Sequence, residues 1–256
     1  MFFKTADDII LHGRMAGCGR DLIIWAPGAR GNTVDAEKYC EPLEDKYGYS
    51  TFTYDLRGIG KSKGFQLDLE NQIRDIKYAI DAAIDKMEKR NKGPDRVILI
   101  GHSMGAVASL TIGIQDPRID KVFGISTLYS IEDFLADDDN NKEQDKSLIS
   151  LGKRILEKLK EQLSPPYWFK KFIGFVSKGK TFLMPKYYLN EEIIKKVYII
   201  HGTKDVYVPF EKTGKKIIEQ YNLKEDRYLL VKNGGHSFEE NQVDEILEWI
   251  HSKLLI

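Results

Sequence analysis

Apolar positions along the chain fall into two kinds of run that take turns. Nearly continuous apolar or β-rich stretches of strand length occur at 21–26, 49–54, 97–100, 120–126, 196–202 and 226–231. Between several of them the apolar residues recur with helical spacing, at 34–47, 67–90, 209–221 and 243–255. The clearest case is 67–90, where Ile73, Ile76, Ala79, Ile80, Ala83, Ile84 and Met87 lie three and four apart, and Asn91-Lys92-Gly93-Pro94 stops the run. Unbroken apolar strands are what a sheet buried on both faces requires, and helices alternating with them supply the cover. The pattern therefore predicts an α/β protein with a mostly parallel sheet. At the N-terminus, strand-like pieces broken at Asp7-Asp8 and at Gly17-Cys18-Gly19 predict an antiparallel hairpin.

One region interrupts the alternation. Residues 130–190 contain no convincing β-run. The segment begins acidic, with Asp137, Asp138 and Asp139, and turns basic from Lys153 onward. A helical stripe of Leu148, Leu151, Ile155, Leu156, Leu159 and Leu163 ends at Ser164-Pro165-Pro166. A dense aromatic patch follows, with Tyr167, Trp168, Phe169, Phe172 and Phe175. About sixty residues is too long for a passive connection. We read 130–190 as a helical cap over the active site, inserted into a core made of 1–129 and 191–256. A peripheral subdomain packed on its own apolar stripe is the alternative reading.

Composition narrows the function without naming it. The 256 residues carry 39 basic and 39 acidic side chains, so no global field points to nucleic acid or an anionic membrane. No stretch has signal-peptide or transmembrane character, so stable membrane insertion is not expected and a soluble, cytoplasmic protein is. Cys18 and Cys40 follow no metal or redox spacing and read as free thiols. The oligomeric state is not legible.

The chemistry is concentrated at 96–106. Four apolar residues, Val97-Ile98-Leu99-Ile100, lead into Gly101-His102-Ser103-Met104-Gly105, and small helix-forming residues follow. This is G-x-S-x-G between a strand and a helix, the context in which the serine becomes an exposed nucleophile on a strained turn. Gly101 and Gly105 leave room for that turn, and N–H groups at the helix start favour a developing negative charge. A serine nucleophile needs a base and a carboxylate to orient it. His236, in Asn233-Gly234-Gly235-His236 after the last strand, is placed to reach over the sheet; His12, His102, His201 and His251 are less suitably placed. Asp205 lies just past the end of the preceding strand. The order Ser103, Asp205, His236 is that of one fold among the several carrying this triad.

Four segments together resemble the α/β-hydrolase superfamily, and in particular its capped serine hydrolases of the monoglyceride-lipase and serine-aminopeptidase type. They are Gly101-His102-Ser103-Met104-Gly105, Tyr54-Asp55-Leu56-Arg57-Gly58-Ile59-Gly60-Lys61-Ser62, His201-Gly202-Thr203-Lys204-Asp205-Val206-Tyr207-Val208-Pro209, and Gly235-His236. The resemblance spans nearly the whole chain. It implies an eight-stranded sheet with strand 2 antiparallel, a cap after strand 6, and an oxyanion hole formed by the N–H of Met104 and one from the loop after strand 3. By position that second donor is Ala29. Relatives usually carry His-Gly in this loop, whereas this chain has Pro27-Gly28-Ala29-Arg30-Gly31. Arg30 is either a surface charge beside the entrance or a binder of a substrate carboxylate. The family places the counterparts of Asp55 and Arg57 in a structural turn network. The expected reaction is hydrolysis of a small-molecule carboxylic ester with an apolar acyl or alcohol group, in the manner of a carboxylesterase or monoacylglycerol lipase. No metal or organic cofactor is called for. Tyr167, Trp168, Phe169 and Phe172 are the expected apolar pocket residues, with Arg30 beside them. A peptidase or an acyltransferase would use the same triad, and a non-enzymatic ligand-binding member would keep the fold.

Overall fold

Eight strands form one sheet in the order β1-β2-β4-β3-β5-β6-β7-β8 in a computed structural model that describes residues 1–65, 69–90, 93–135 and 183–255. The strands are β1 (Phe2–Lys4), β2 (Ile10–Ala16), β3 (Leu22–Ala26), β4 (Ser50–Tyr54), β5 (Val97–His102), β6 (Ile119–Ile125), β7 (Val197–Gly202) and β8 (Tyr228–Val231). β2 runs antiparallel to both of its neighbours, and every other pairing is parallel. This is the sheet that the resemblance to α/β-hydrolases implies. The expected N-terminal hairpin is β1–β2, and its connection passes through Asp8 at φ 64°.

The unbroken apolar runs arise because each strand feeds two cores. In β3 and β5, Leu22, Ile24, Val97 and Leu99 point into one cluster, while Ile23, Trp25, Ile98 and Ile100 point into the other. The first cluster is covered by α2 (Leu69–Arg74), α3 (Ile76–Glu88), α4 (Met104–Thr111) and Ile217 of α6 (Gly214–Gln220). The second is covered by α1 (Glu37–Asp45) and α7 (Glu240–Leu254). Period-2 side-chain direction thus becomes a three-layer structure, with the catalytic candidates on loops at the C-terminal ends of the parallel strands.

Several helices differ from the periodicity. The helix expected over 67–90 is interrupted at Asp75. There the N–H groups of both Tyr78 and Ala79 donate to the Asp75 carbonyl, and the carboxylate turns inward to take the Arg57 guanidinium at 2.6 Å. The helix expected over 209–221 is a 3-10 turn, Phe210–Lys212, followed by α6; the interruption at Thr213 coincides with its hydroxyl donating to the Pro209 carbonyl at 2.8 Å. α1 starts at Glu37 instead of position 34, because the Asn32 side chain accepts the N–H groups of Val34 and Asp35 and holds them in a turn. α7 starts three residues early, at a capping box between Glu239 and Gln242.

After β6 the chain enters α5 (Ile131–Leu135) and is next described at Leu183. Leu183 and Met184 are buried in the first core cluster, and Lys186 N–H donates to the Tyr129 carbonyl at 3.1 Å. The excursion between β6 and β7 therefore leaves and returns at one place. The helical stripe, the aromatic patch and the acidic triplet expected in the cap lie outside the described residues. Both cysteines are free; Cys40 is buried in the second cluster, and burial pushes its thiol up to about 12. No helix among the described residues is long and apolar enough to cross a membrane.

Candidate active site

One residue separates β5 from α4. That residue is Ser103, at φ 55° and ψ −117°. A non-glycine residue at positive φ costs on the order of 1–3 kcal/mol and persists only where its surroundings enforce it. Here the packing does so. A Cβ on Gly105 would stand 2.0 Å from the Ala26 carbonyl oxygen, and one on Gly101 would stand 2.3 Å from the Gly105 oxygen. The Ser103 N–H donates to the Ile125 carbonyl at 2.8 Å, tying the turn to β6.

Two loops bring partners to the serine. Asp205 follows β7, and its Oδ1 accepts the N–H groups of Tyr207 at 3.0 Å and Val208 at 2.8 Å. His236 follows β8, on a loop whose Gly234 carbonyl accepts the Lys204 N–H at 2.8 Å, so the two loops are fastened together. The His236 Nδ1–H donates to Asp205 Oδ2 at 2.8 Å, and the Ser103 hydroxyl donates to His236 Nε2 at 3.0 Å. The carboxylate can only accept, which assigns the imidazole proton to Nδ1 and leaves Nε2 with its lone pair toward the serine. Burial raises the Asp205 carboxyl, yet the hydrogen bond from His236 and the Val208 N–H outweigh it and hold the group below its ordinary value. A hydroxyl, a neutral imidazole and an ionised carboxylate in this order can move a proton off the serine and stabilise the resulting imidazolium.

The remaining histidines have other work. His102 Nε2–H donates to the His236 carbonyl at 2.8 Å, and burial together with the neighbouring His236 pushes its imidazolium down to about 4. A neutral His102 therefore pins the backbone of the loop that carries His236. His201 Nε2–H donates to the Val208 carbonyl at 2.7 Å and braces the turn that feeds Asp205 its N–H donors. His12 Nδ1–H bonds Asp55 Oδ2 at 3.0 Å, and His251 bonds the Tyr49 hydroxyl at 2.8 Å.

The two expected oxyanion donors come from different elements, the start of α4 and the β3–α1 loop. Met104 is the first residue of α4, and a first-turn N–H has no partner within its own helix. Ala29 lies in a tight turn closed by the Gly31 N–H donating to the Gly28 carbonyl at 2.9 Å. The segment after that turn is held by Asp55, which the resemblance places with Arg57 in a structural turn network. Asp55 Oδ1 accepts the Thr33 N–H at 2.7 Å, and its Oδ2 accepts the Lys61 N–H at 2.9 Å. Burial raises the Asp55 carboxyl, but these N–H groups and His12 outweigh it and keep it below its usual range. Arg57, buried, donates to both oxygens of Asp75 and of Asp7. Asp55 and Arg57 thus belong to a structural network, and the network fastens the loop that carries Ala29.

A cleft of about 590 Å³ opens beside Ser103 and His236, walled by the β3–α1 loop and the start of α1. Arg30 reaches it, and so do His102, Asn32, Asp35 and Lys38. Lys38 carries no sequence signal, since a lysine on the polar face of a helix is ordinary. Tyr167, Trp168, Phe169 and Phe172 lie outside the described residues.

Comparison with known proteins agrees with this architecture. Residues 20–180 match the family model described as serine aminopeptidase, S33. A proline iminopeptidase of Saccharolobus solfataricus is 29% identical over 107 residues, which is 40% of this chain and 31% of that protein. The match therefore spans less than a third of that curated relative. Among solved structures, Est1E from Butyrivibrio proteoclasticus with ferulic acid bound superposes with a TM-score of 0.66 at 17% identity, over 100% of this chain and 98% of that one. The Pyrococcus furiosus esterase Pf2001 gives 0.63 at 17% identity over 99% and 87%. Mouse alpha/beta hydrolase domain-containing protein 10 gives 0.62 at 20% identity over 99% and 97%. At these identities the structural likeness speaks for the fold. With the sheet, the reversed second strand and the family match in agreement, the chain belongs to the serine aminopeptidase (S33) family of α/β-hydrolases.

Proposed function

We propose that this hydrolase cleaves carboxylic esters through an acyl-enzyme on Ser103. The observation that carries the reading is the continuous path from Ser103 Oγ through His236 to Asp205, at 3.0 and 2.8 Å. The Ser103 hydroxyl gives its proton to His236 Nε2 as its oxygen adds to the ester carbonyl. Asp205 holds the imidazole in the required tautomer and offsets its charge. The N–H groups of Ala29 and Met104 receive the oxyanion, a contribution of about 10²–10³ in turnover for one such donor. His236 then protonates the leaving alcohol. In the second half, water adds to the acyl group with His236 again taking the proton, and Ser103 is released.

The same machinery cleaves amides, and the family's description and the proline iminopeptidase relative keep that reaction in view. The charge of the described cleft favours the ester. An aminopeptidase must anchor a free α-amino group, yet this cleft presents Arg30 and Lys38, and Asp35 Oδ2 is engaged by the Asn32 amide at 2.8 Å. Residues 130–190 are assigned to a cap that supplies the apolar side of the pocket, and the enzyme to the cytoplasm. A panel of p-nitrophenyl esters from acetate to laurate, run beside aminoacyl p-nitroanilides including the proline derivative, tests the assignment. Ester turnover that disappears in Ser103→Ala and His236→Ala supports it. Faster cleavage of an aminoacyl anilide than of any ester overturns it.

A further inference from the structure

The cleft beside Ser103 carries a charge that the hydrolytic reaction does not need. Arg30 and Lys38 both line it, and neither takes part in an ion pair among the described residues. Other basic side chains near the core are engaged, Arg57 with Asp75 and Asp7, Arg96 with Asp21, and Arg227, Lys121 and Lys196 with backbone carbonyls. The one carboxylate in the cleft wall, Asp35, accepts the Asn32 amide on Oδ2 and acts electrostatically on Lys38 without forming an ion pair with it. The Arg30 and Lys38 side chains are both exposed, so the cleft lining presents two solvent-facing cations against one carboxylate, with the ionised Asp205 behind His236. The Lys38 ammonium lies 4.8 Å from the centre of the Tyr39 ring, which walls the same cleft, and partial desolvation lowers it from its ordinary value.

The backbone gives a second, independent sign. Arg30 sits at φ 66° in the third position of the turn from Gly28 to Gly31. That position favours glycine or asparagine, and a long branched cation there is under strain. Strain kept at the lip of an active-site cleft is a pointer to what the side chain does. Arginine's planar fork of donors is suited to a carboxylate, which it can take on two oxygens at once.

We propose that Arg30 and Lys38 form a subsite for a free carboxylate on the substrate, so that the preferred substrates are esters carrying a second, ionised acid group. The inference rests on the ester-hydrolase reading for its reaction, and on the cleft alone for its ligand. It resolves Arg30 as a binding group instead of a surface charge. Within the lining the cations outnumber the carboxylates by one, which matches one substrate carboxylate, and the uncharged remainder of such a substrate is left to the apolar parts of the pocket.

Two measurements test it separately. The first compares kcat/KM for p-nitrophenyl butyrate with that for mono-p-nitrophenyl glutarate, whose acid is on the acyl side, and for 3-carboxy-4-nitrophenyl butyrate, whose acid is on the alcohol side. One of the acids should exceed the neutral ester by about tenfold, and the advantage should shrink at high salt. In Arg30→Asn/Lys38→Gln the ratio of anionic to neutral turnover should fall to about one, while Lys38→Arg should keep it. Asparagine is chosen because it tolerates the turn's positive φ. The readout is a ratio within each protein, so a general loss of rate cancels. No preference for either acid in the wild type, or a preference that survives in the double variant, overturns the subsite. The second measurement needs no turnover. Calorimetric titration of Ser103→Ala with monoethyl glutarate should give a Kd about tenfold tighter than titration of Ser103→Ala/Arg30→Asn/Lys38→Gln, with diethyl glutarate equal for both. Equal affinities for the monoethyl ester overturn the proposal. If no ester is hydrolysed yet the titrations differ, the ester reading fails and the carboxylate subsite stands.

Discussion

Replacing Asp205 by asparagine changes one atom and should disable the site through a proton. In the native arrangement Oδ1 accepts two backbone N–H groups, from Tyr207 and Val208, while Oδ2 accepts the His236 Nδ1–H at 2.8 Å. An asparagine keeps both backbone bonds only by leaving its oxygen on that side, which turns its NH2 toward His236. Nδ1 must then accept, so the neutral imidazole carries its proton on Nε2 and points it at Ser103. A base that is already protonated where it must receive cannot act, and the charge that offsets the imidazolium is gone as well. Loss of the corresponding carboxylate in serine proteases lowers turnover about 10⁴-fold, equivalent to about 5.4 kcal/mol of transition-state stabilisation. We expect that loss in kcat for p-nitrophenyl butyrate and a similar fall in the rate of fluorophosphonate labelling. The melting temperature should fall less than in Asp205→Ala, because the loop contacts are kept and only the ionised carboxylate's contribution is lost. An Asp205→Asn protein that labels within tenfold of the wild-type rate would refute the role given to this carboxylate.

Three further outcomes follow from the same geometry. Asp75→Ala should lower the free energy of unfolding by more than about 1 kcal/mol in urea titrations, since the buried Arg57 then loses its buried partner and keeps the half-exposed Asp7; a smaller shift, the size of an ordinary substitution, would contradict the network. Asp55 and Asp205 are held below 3.8 in the folded protein, so their contribution to stability is fully present above that ordinary value and is lost as pH falls through their folded values. Asp55→Asn should accordingly flatten the acid limb of the urea midpoint against pH, and an unchanged limb would count against it. Gly105→Ala puts a methyl 2.0 Å from the Ala26 oxygen, which must cost about 1–3 kcal/mol or more and abolish labelling; a variant that labels normally would mean that the elbow tolerates a side chain there.

Legibility in the sequence followed the range of the interactions. That Ser103, Asp205 and His236 lie within hydrogen-bond reach was legible because each sits in a local context that carries its own reason: glycines around a turn, a strand end, a glycine-rich loop. The sheet was readable because strands buried on both faces cannot alternate. Local pattern failed where a distant contact decided the outcome. The periodicity of 67–90 runs straight through Asp75, and nothing within the helix announces that this carboxylate turns inward to Arg57, 18 residues away. For Asp55 the resemblance supplied the turn network, but local pattern gave no sign of its partners His12, 43 residues away, and Thr33, 22 away. Lys38 was invisible for another reason. A lysine on a polar helix face looks the same whether it faces water or a catalytic cleft, and only the placement of α1 against the β3–α1 loop tells the two apart.

The central claim is that Ser103 is the nucleophile. It is tested most directly by reacting the folded protein with a fluorophosphonate and mapping the adduct by peptide mass spectrometry. The account predicts a single adduct on the peptide containing Ser103, and none on Ser103→Ala protein with an unchanged circular dichroism spectrum. An adduct on another residue of the wild type, or full labelling of Ser103→Ala, would contradict it.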